Sequence, residues 1–285
     1  MIYVIIPLSS FLWLFAMQSR PGLTRFLTIC VLALAVLMSG CSGNKGIDDV
    51  TADELYERAK GALDASSWDR SIAMYKALQT RYPFGRYTEQ SMLDLSYAYF
   101  RRGATEEALS TLDRFIRTYP THPSVDYAYY LKGLVNYEQN LGFLEKMMPK
   151  RVADRDQSQA ENAFFDFQEL IRRYPDSRYV PDARQRMVFL RNNLAAYEVI
   201  VAEYYLRREA YIAAANRARY AIEVYPNTPS IPEALAVLHK AYTELELPDL
   251  AQSSWDVLAM NYPEHYYLQG KRKPRSWTER LWPFD

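Results

Sequence analysis

Three histidines, two cysteines and the aspartates flanking Arg155 are the residues of this chain whose types and spacing most lend themselves to covalent or acid–base chemistry. His122, His239 and His265 are far apart, and no Cys beyond position 41 accompanies them. That pattern excludes a His/Cys metal cage and a Cys–His dyad within one chain. Asp154-Arg155-Asp156 sets two carboxylates two residues apart, a spacing that general acid–base work uses, but the Arg between them reads better as a solvated loop with internal ion pairing. No Gly-x-Ser-x-Gly elbow, phosphate-cradling Gly-x-x-x-x-Gly-Lys loop or calcium loop occurs. The chain reads as a protein that is not an enzyme and that needs no metal and no dissociable cofactor.

The one reactive side chain left is Cys41. Arg20 and Arg25 precede an apolar run from Phe26 to Met38, which ends in Met38-Ser39-Gly40-Cys41. A basic start, a short apolar segment and small residues at the cut site make a secretory signal. A Cys placed directly after Ser-Gly resembles a bacterial lipobox, where the thiol takes a diacylglyceryl group before cleavage and the new amino group is then acylated. Residues 1–40 are therefore expected to be a signal peptide, with Cys41 an S-diacylglycerol, N-acyl cysteine. The competing reading, a membrane-spanning anchor, needs about 20 apolar residues, and this run has 13. Cys30 falls in the discarded segment, so no disulfide is expected. Residues 1–16 are apolar and uncharged and sit ahead of a complete signal, which makes Met17 the expected true start; a real additional hydrophobic segment is the alternative. Three acyl chains hold a protein firmly to a membrane. Ser42 in place of Asp after the lipidated Cys implies, for lipoproteins of this kind, the inner leaflet of the outer membrane, facing the periplasm. Residues 41–50 then form a lipidated polar tether.

What such an anchor carries is shown by five Tyr-Pro pairs, Tyr82-Pro83, Tyr119-Pro120, Tyr174-Pro175, Tyr225-Pro226 and Tyr262-Pro263. Their prolines follow one another at 37, 55, 51 and 37 residues, near a 34-residue helical repeat with insertions in the middle two units. Twelve residues before each Pro stands a small residue (Ser71, Ala108, Ala163, Ala214, Ala251). Eight before it the residue is mostly bulky (Tyr75, Leu112, Phe167, Ala218, Trp255). Five before it come Leu78, Phe115, Leu170, Ala221 and Leu258. Offsets of four and three share one helix face, and Pro halts the helix because it lacks an N–H and clashes with the preceding turn. The pattern predicts an all-α, tetratricopeptide-like superhelical array of about five helix-turn-helix units over residues 51–263. A large count of Tyr, 24 against 10 Gly, suits helices joined by short turns. In outline, Thr51 opens the first helix with a capping-box-like Thr-Ala-Asp-Glu, Gly103 caps a helix at its C-terminus, residues 140–157 form an insertion, Pro181 to Arg208 is an unusually long first helix of unit 4, and Pro248 starts the last helix. Residues 264–285 form a C-terminal tail; because the repeats end at Pro263, its basic run Lys271-Arg272-Lys273-Pro274-Arg275 is expected to be dispensable for folding and available to anionic lipid or a partner.

Stacked helical pairs present extended surfaces for other chains. With 34 basic and 34 acidic side chains there is no net field to draw nucleic acid. Candidate contact surfaces are aromatic: Tyr127, Tyr129, Tyr130 and Tyr137 on one helix, Tyr197, Tyr204 and Tyr205 on another, most of them expected to pack between helices. Phe143, Leu144, Met147, Met148 and Pro149 in the insertion either fold back on unit 3 or meet a partner. Pro83 and Gly85 turn the chain sharply, so Tyr82, Phe84 and Tyr87 are expected to be displayed where units 1 and 2 join.

The segments Arg81-Tyr-Pro-Phe-Gly-Arg-Tyr87, Asp113-Arg-Phe-Ile-Arg117, Pro120-Thr-His-Pro123 with Asp126-Tyr127, Asp154-Arg-Asp156 and Leu194-Ala-Ala-Tyr-Glu198 through Val201-Ala-Glu-Tyr-Tyr205 resemble the BamD (ComL) family of outer-membrane assembly lipoproteins from Cys41 to about Pro263. The resemblance implies a non-enzymatic scaffold of the β-barrel assembly (BAM) complex, partnered by BamA, other BAM lipoproteins and unfolded outer-membrane β-barrel proteins. It further implies that Asn216 and Arg217 in unit 4 meet BamA, the Arg making the contact, and that Tyr82 takes part in substrate engagement, with Phe84 and Tyr87 beside it. The tail after Glu264 departs from the family pattern. A periplasmic repeat lipoprotein coordinating cell-wall synthesis or division is the alternative.

Overall fold

The computed structural model describes residues 50–85, 87–140, 157–271 and 273, with only the backbone of 139 and 140. Cys41, the aromatic and Met residues of the insertion and Asp154 to Asp156 lie outside these. The chain divides into two units after Val50, and everything below concerns the second.

Among the described residues there are ten helices and no strand. They fall into five pairs: α1 (Ala52–Asp64) with α2 (Trp68–Arg81), α3 (Thr88–Arg102) with α4 (Thr105–Thr118), α5 (Val125–Asn140) with α6 (Ser158–Arg173), α7 (Val180–Arg207) with α8 (Tyr211–Val224), and α9 (Ile231–Glu244) with α10 (Pro248–Asn261). Each helix packs on its neighbours in the sequence. First helices of successive units also touch, α1 on α3, α3 on α5 and α7 on α9. This is the tandem helix-turn-helix arrangement of a tetratricopeptide-like array.

The Tyr-Pro pairs end the second helix of every unit by one mechanism. Tyr82, Tyr119, Tyr174, Tyr225 and Tyr262 all leave the helical region, with φ from −120 to −136°. Pro forbids the helical conformation to the residue before it. Each Tyr N–H nevertheless donates to the carbonyl four residues back, completing the last helical bond. At the other end, Thr51 Oγ1 accepts from the Glu54 N–H at 3.3 Å and caps α1.

The repeat positions read from the sequence form the core. Ser71, Ala108, Ala163 and Ala214 are fully buried, as are Tyr75, Leu112, Phe167 and Ala218, and Phe115, Leu170, Ala221 and Leu258. Ser71 donates to the Ala59 carbonyl at 3.1 Å, so even the polar small residue is satisfied. Trp255 alone is only half-buried, because among the described residues no further helical pair follows unit 5 to cover it. Gly133 marks a tight crossing: a Cβ there would lie 2.5 Å from the Phe167 ring.

The first part of the tail packs back on the last two units. Tyr267 and Leu268 pack on a cluster of Ile231, Leu235, Ala236 and Leu258, and Lys273 reaches Glu203 of α7 and Glu233 of α9. Among the described residues the last helix ends at Asn261, and the first part of the tail covers the apolar end of the last pair.

Candidate functional site: an aromatic groove and a charged helix face

The first region starts at the turn between α2 and α3. Gly85 has φ +141°, a conformation that L side chains avoid, and it projects the turn outward. Phe84 is 91% exposed. Its two neighbours are held more firmly than the sequence implied. Tyr82 is half-buried with the Arg81 guanidinium 5.6 Å above its ring, and Tyr87 stacks on Tyr56 at 4.6 Å.

Behind Tyr87 stands Asp94. Its Oδ2 accepts from Tyr56 Oη at 3.0 Å and Tyr75 Oη at 3.1 Å, and its Oδ1 accepts from Gln90 Nε2 at 2.8 Å. Burial, and then the Asp94 carboxylate, pushes both phenols up, so both remain neutral donors. Asp94 also lines a cleft of about 520 Å³ with Gln90, Tyr127, Arg178 and Tyr179. That cleft shares Pro123 and Asp126 with a second one, of about 450 Å³, walled by His122, Arg173, Tyr174 and Pro175. Ring contacts continue the line: Tyr127 lies 5.5 Å from Tyr179, and Tyr130 stacks on Tyr179 at 4.6 Å while its hydroxyl donates to Asp182 at 2.7 Å. Burial and that bond push Tyr130 up to about 12. The result is a run of aromatic faces and fixed hydroxyls from α1 to the start of α7, of the kind that contacts another polypeptide.

The second region is α8. Its Ala214, Ala215, Ala218 and Ala221 bury against Val199, Ala202, Ala234, Val237, Leu238 and Ala241, with Ile222 partly buried beside them. Asn216 and Arg217 stand on the opposite, exposed side. The family resemblance gave Arg217 a contact outside this chain and no partner within it. In the structure its Nη1 donates to both oxygens of Glu198, at 3.1 and 3.3 Å. The Glu198 side chain is 8% exposed and that of Arg217 46%, so a carboxylate in the wall of α7 grips one nitrogen and the rest of the fork faces out. This bond, opposed by partial burial, raises the Arg217 pKa further. Asn216 Oδ1 accepts from Arg219 at 3.0 Å.

Sequence reasoning missed Asp94, Tyr56 and Glu198. Glu198 did leave a trace: it lies four residues after Leu194 and four before Ala202, in the middle of an apolar stripe, where a charge needs a partner.

Fold and site together define a tandem helical-repeat protein with an aromatic groove in its first units and a charged face on unit 4. The family model described as outer membrane lipoprotein (YfiO) matches residues 48–258. Proteins named outer membrane protein assembly factor BamD are similar over most of their length. The one from Xylella fastidiosa (strain Temecula1) is 41% identical over 248 residues, covering 86% of this chain and 85% of that protein. Those from Neisseria meningitidis serogroup B and Vibrio cholerae are 38% and 37% identical, over 93% and 99% of their lengths. The chain belongs to the BamD family of outer membrane lipoproteins.

Proposed function

We propose that this protein is a scaffold of the β-barrel assembly machinery, held by lipid on Cys41 to the inner leaflet of the outer membrane and facing the periplasm. It binds BamA, alongside other BAM lipoproteins, through the α8 face bearing Asn216 and Arg217, and it receives unfolded barrel proteins at Tyr82, Phe84 and Tyr87. Family membership over residues 48–258 carries this reading. The geometry supports it at both places. Phe84 is an exposed aromatic on the turn between α2 and α3, and Arg217 offers an oriented guanidinium edge that forks onto a carboxylate as Lys cannot.

The test is Arg217→Lys, which keeps a cation beside Glu198 while losing the fork; Arg217→Glu would instead set two carboxylates against each other and disturb the fold. Arg217→Lys is expected to lower affinity for purified BamA by about tenfold, roughly 1.4 kcal/mol, with unchanged thermal unfolding. Parental affinity removes Arg217 from the interface. A photocrosslinker at Phe84 is expected to capture unfolded barrel protein, and its failure in a normally folded array removes the groove.

A further inference from the structure

Three side chains of the tail converge on one carboxylate. Glu233, in the first turn of α9, accepts from Tyr266 Oη at 2.6 Å and from Lys273 Nζ at 2.7 Å, and lies 3.0 Å from His265 Nε2. The Glu233 and His265 side chains are 15% and 13% exposed, so the cluster is shielded. A carboxylate in the first turn of a helix is also favoured by the unpaired N–H groups there. Lys273 Nζ meets Glu203 of α7 at 2.5 Å as well, so one ammonium spans the first helices of units 4 and 5. Beside this cluster, Tyr267 Oη lies 2.6 Å from His239 Nδ1, and its ring packs on Trp255 and under the Lys240 ammonium. Units 1 to 4 are each followed by another helical pair. Unit 5 is followed by this turn.

We infer that residues 265–271 together with Lys273 form a strap that closes the end of the array and ties α9 back to α7, with Glu233 as its fastening point and Lys273 as the link to unit 4. With the strap open, Glu203 and Glu233 would lose the cation that both now share. Closure therefore rests on charge as well as on the apolar packing of Tyr267 and Leu268, and the ion pairs are the part that a single substitution can remove. It lies beyond residue 258, where the family match ends.

Hydrogen exchange on the full chain tests this. The N–H groups of Leu268, Gln269, Gly270 and Lys271 donate within the strap, to the carbonyls of His265, Tyr266 and Tyr267. Glu233→Gln keeps the volume and removes the charge. It is expected to accelerate exchange at these amides by at least about tenfold while α1 to α4 keep parental protection. Lys273→Met should accelerate them by about threefold and reduce protection where α7 meets α9. Should Glu233→Gln loosen the whole array, Lys273→Met decides, because a half-exposed side chain can be replaced without unfolding the core. Parental protection of residues 268–271 in Lys273→Met overturns the inference.

Discussion

Where unit 2 puts Leu112 and Phe115 into its core, unit 4 puts Ala218 and Ala221 at the same repeat positions, and all four are fully buried. The two units thus reach a sealed interior by opposite routes. Unit 2 fills space with large side chains, and units 1 and 2 add the hydroxyls of Tyr56 and Tyr75, satisfied on Asp94. Unit 4 removes side-chain volume and lets α8 lie against α7 and α9 on a carpet of alanines. A core of alanines leaves little room for error. It also leaves the opposite side of α8 with a firm base, which is where Arg217 stands. Tyrosine in the first units serves a different end, because each ring brings a polar tip that can be fixed or displayed.

Removing volume from the filled unit should have the largest effect. Phe115→Ala deletes a ring from a fully buried site, and the cavity plus lost transfer energy is expected to cost about 3–5 kcal/mol in equilibrium denaturation. The converse change at the matching position, Ala221→Phe, should cost about 1–3 kcal/mol by overpacking. A neutral Ala221→Phe would mean that α8 has slack, and the contrast between the units would collapse.

Gly133→Ala probes the same idea at unit 3, where a bulky residue and a close crossing occur together. The added Cβ would meet Phe167 Cε1 at 2.5 Å, and the ring is fully buried with nowhere to swing. A loss of about 1–3 kcal/mol is expected, partly recovered by adding Phe167→Leu. If the single variant matches the parent in a urea titration, the crossing is looser than the structure shows.

Much of this was legible in the sequence. The Tyr-Pro stops, the small and bulky repeat positions and Gly103 at a helix end are local signals, since backbone sterics and helix periodicity act over a few residues. Arg217's exposure was legible for the same reason, because Ala214, Ala218 and Ala221 claim the inner face. Its grip on Glu198 was not, since that bond joins α8 to α7 across 19 residues. Asp94 meeting Tyr56 across 38 residues and Lys273 meeting Glu203 across 70 are the same kind of fact. Periodicity places a residue on a face but does not say which face of another helix it meets. The contacts of the tail were not legible because nothing local in a basic run says that Lys273 meets carboxylates of α7 and α9.

Two shielded carboxylates extend the comparison to pH. Asp166, between Asn136 and Lys132, has its pKa raised above 3.8, with burial outweighing those partners. In Glu233 burial also pushes upward, but the Lys273 and Tyr266 bonds and nearby His265 prevail, and its pKa falls below 4.5. The signs are opposite. As pH drops from neutral, the folded state at Asp166 takes up its proton earlier than the unfolded chain and gains stability. At Glu233 the unfolded chain takes up the proton first, so stability is lost as pH falls through 4.5 and below. Glu203, His265, Tyr266 and Lys273 are the groups around Glu233, and losing its charge weakens their hold. Exchange corrected for intrinsic rate should therefore show residues 265–271 loosening before α5 and α6 on acidification. The reverse order would refute both assignments.

The smallest effect concerns the turns that join the two helices of a unit. Unit 2 uses Gly103 at φ +82°, while units 1, 4 and 5 place Ser66, Glu209 and Glu246 at φ +57 to +60°. The left-handed conformation costs a residue with a side chain about 1–2 kcal/mol relative to Gly. Against that, Gly loses more backbone freedom on folding, about 0.5–1 kcal/mol. The difference leaves Glu209→Gly and Glu246→Gly each stabilising by roughly 0.5 kcal/mol, and Gly103→Ala destabilising by a similar or slightly larger amount. Neither Glu is buried, so lost packing should not hide the backbone effect. Thermal unfolding of the three single variants, with Glu209→Ala and Glu246→Ala as side-chain controls, separates backbone relief from loss of charge. If the Ala controls stabilise as much as the Gly variants, relief of backbone strain is not the cause, and the turns of units 4 and 5 are as well suited to their residues as Gly103 is to unit 2.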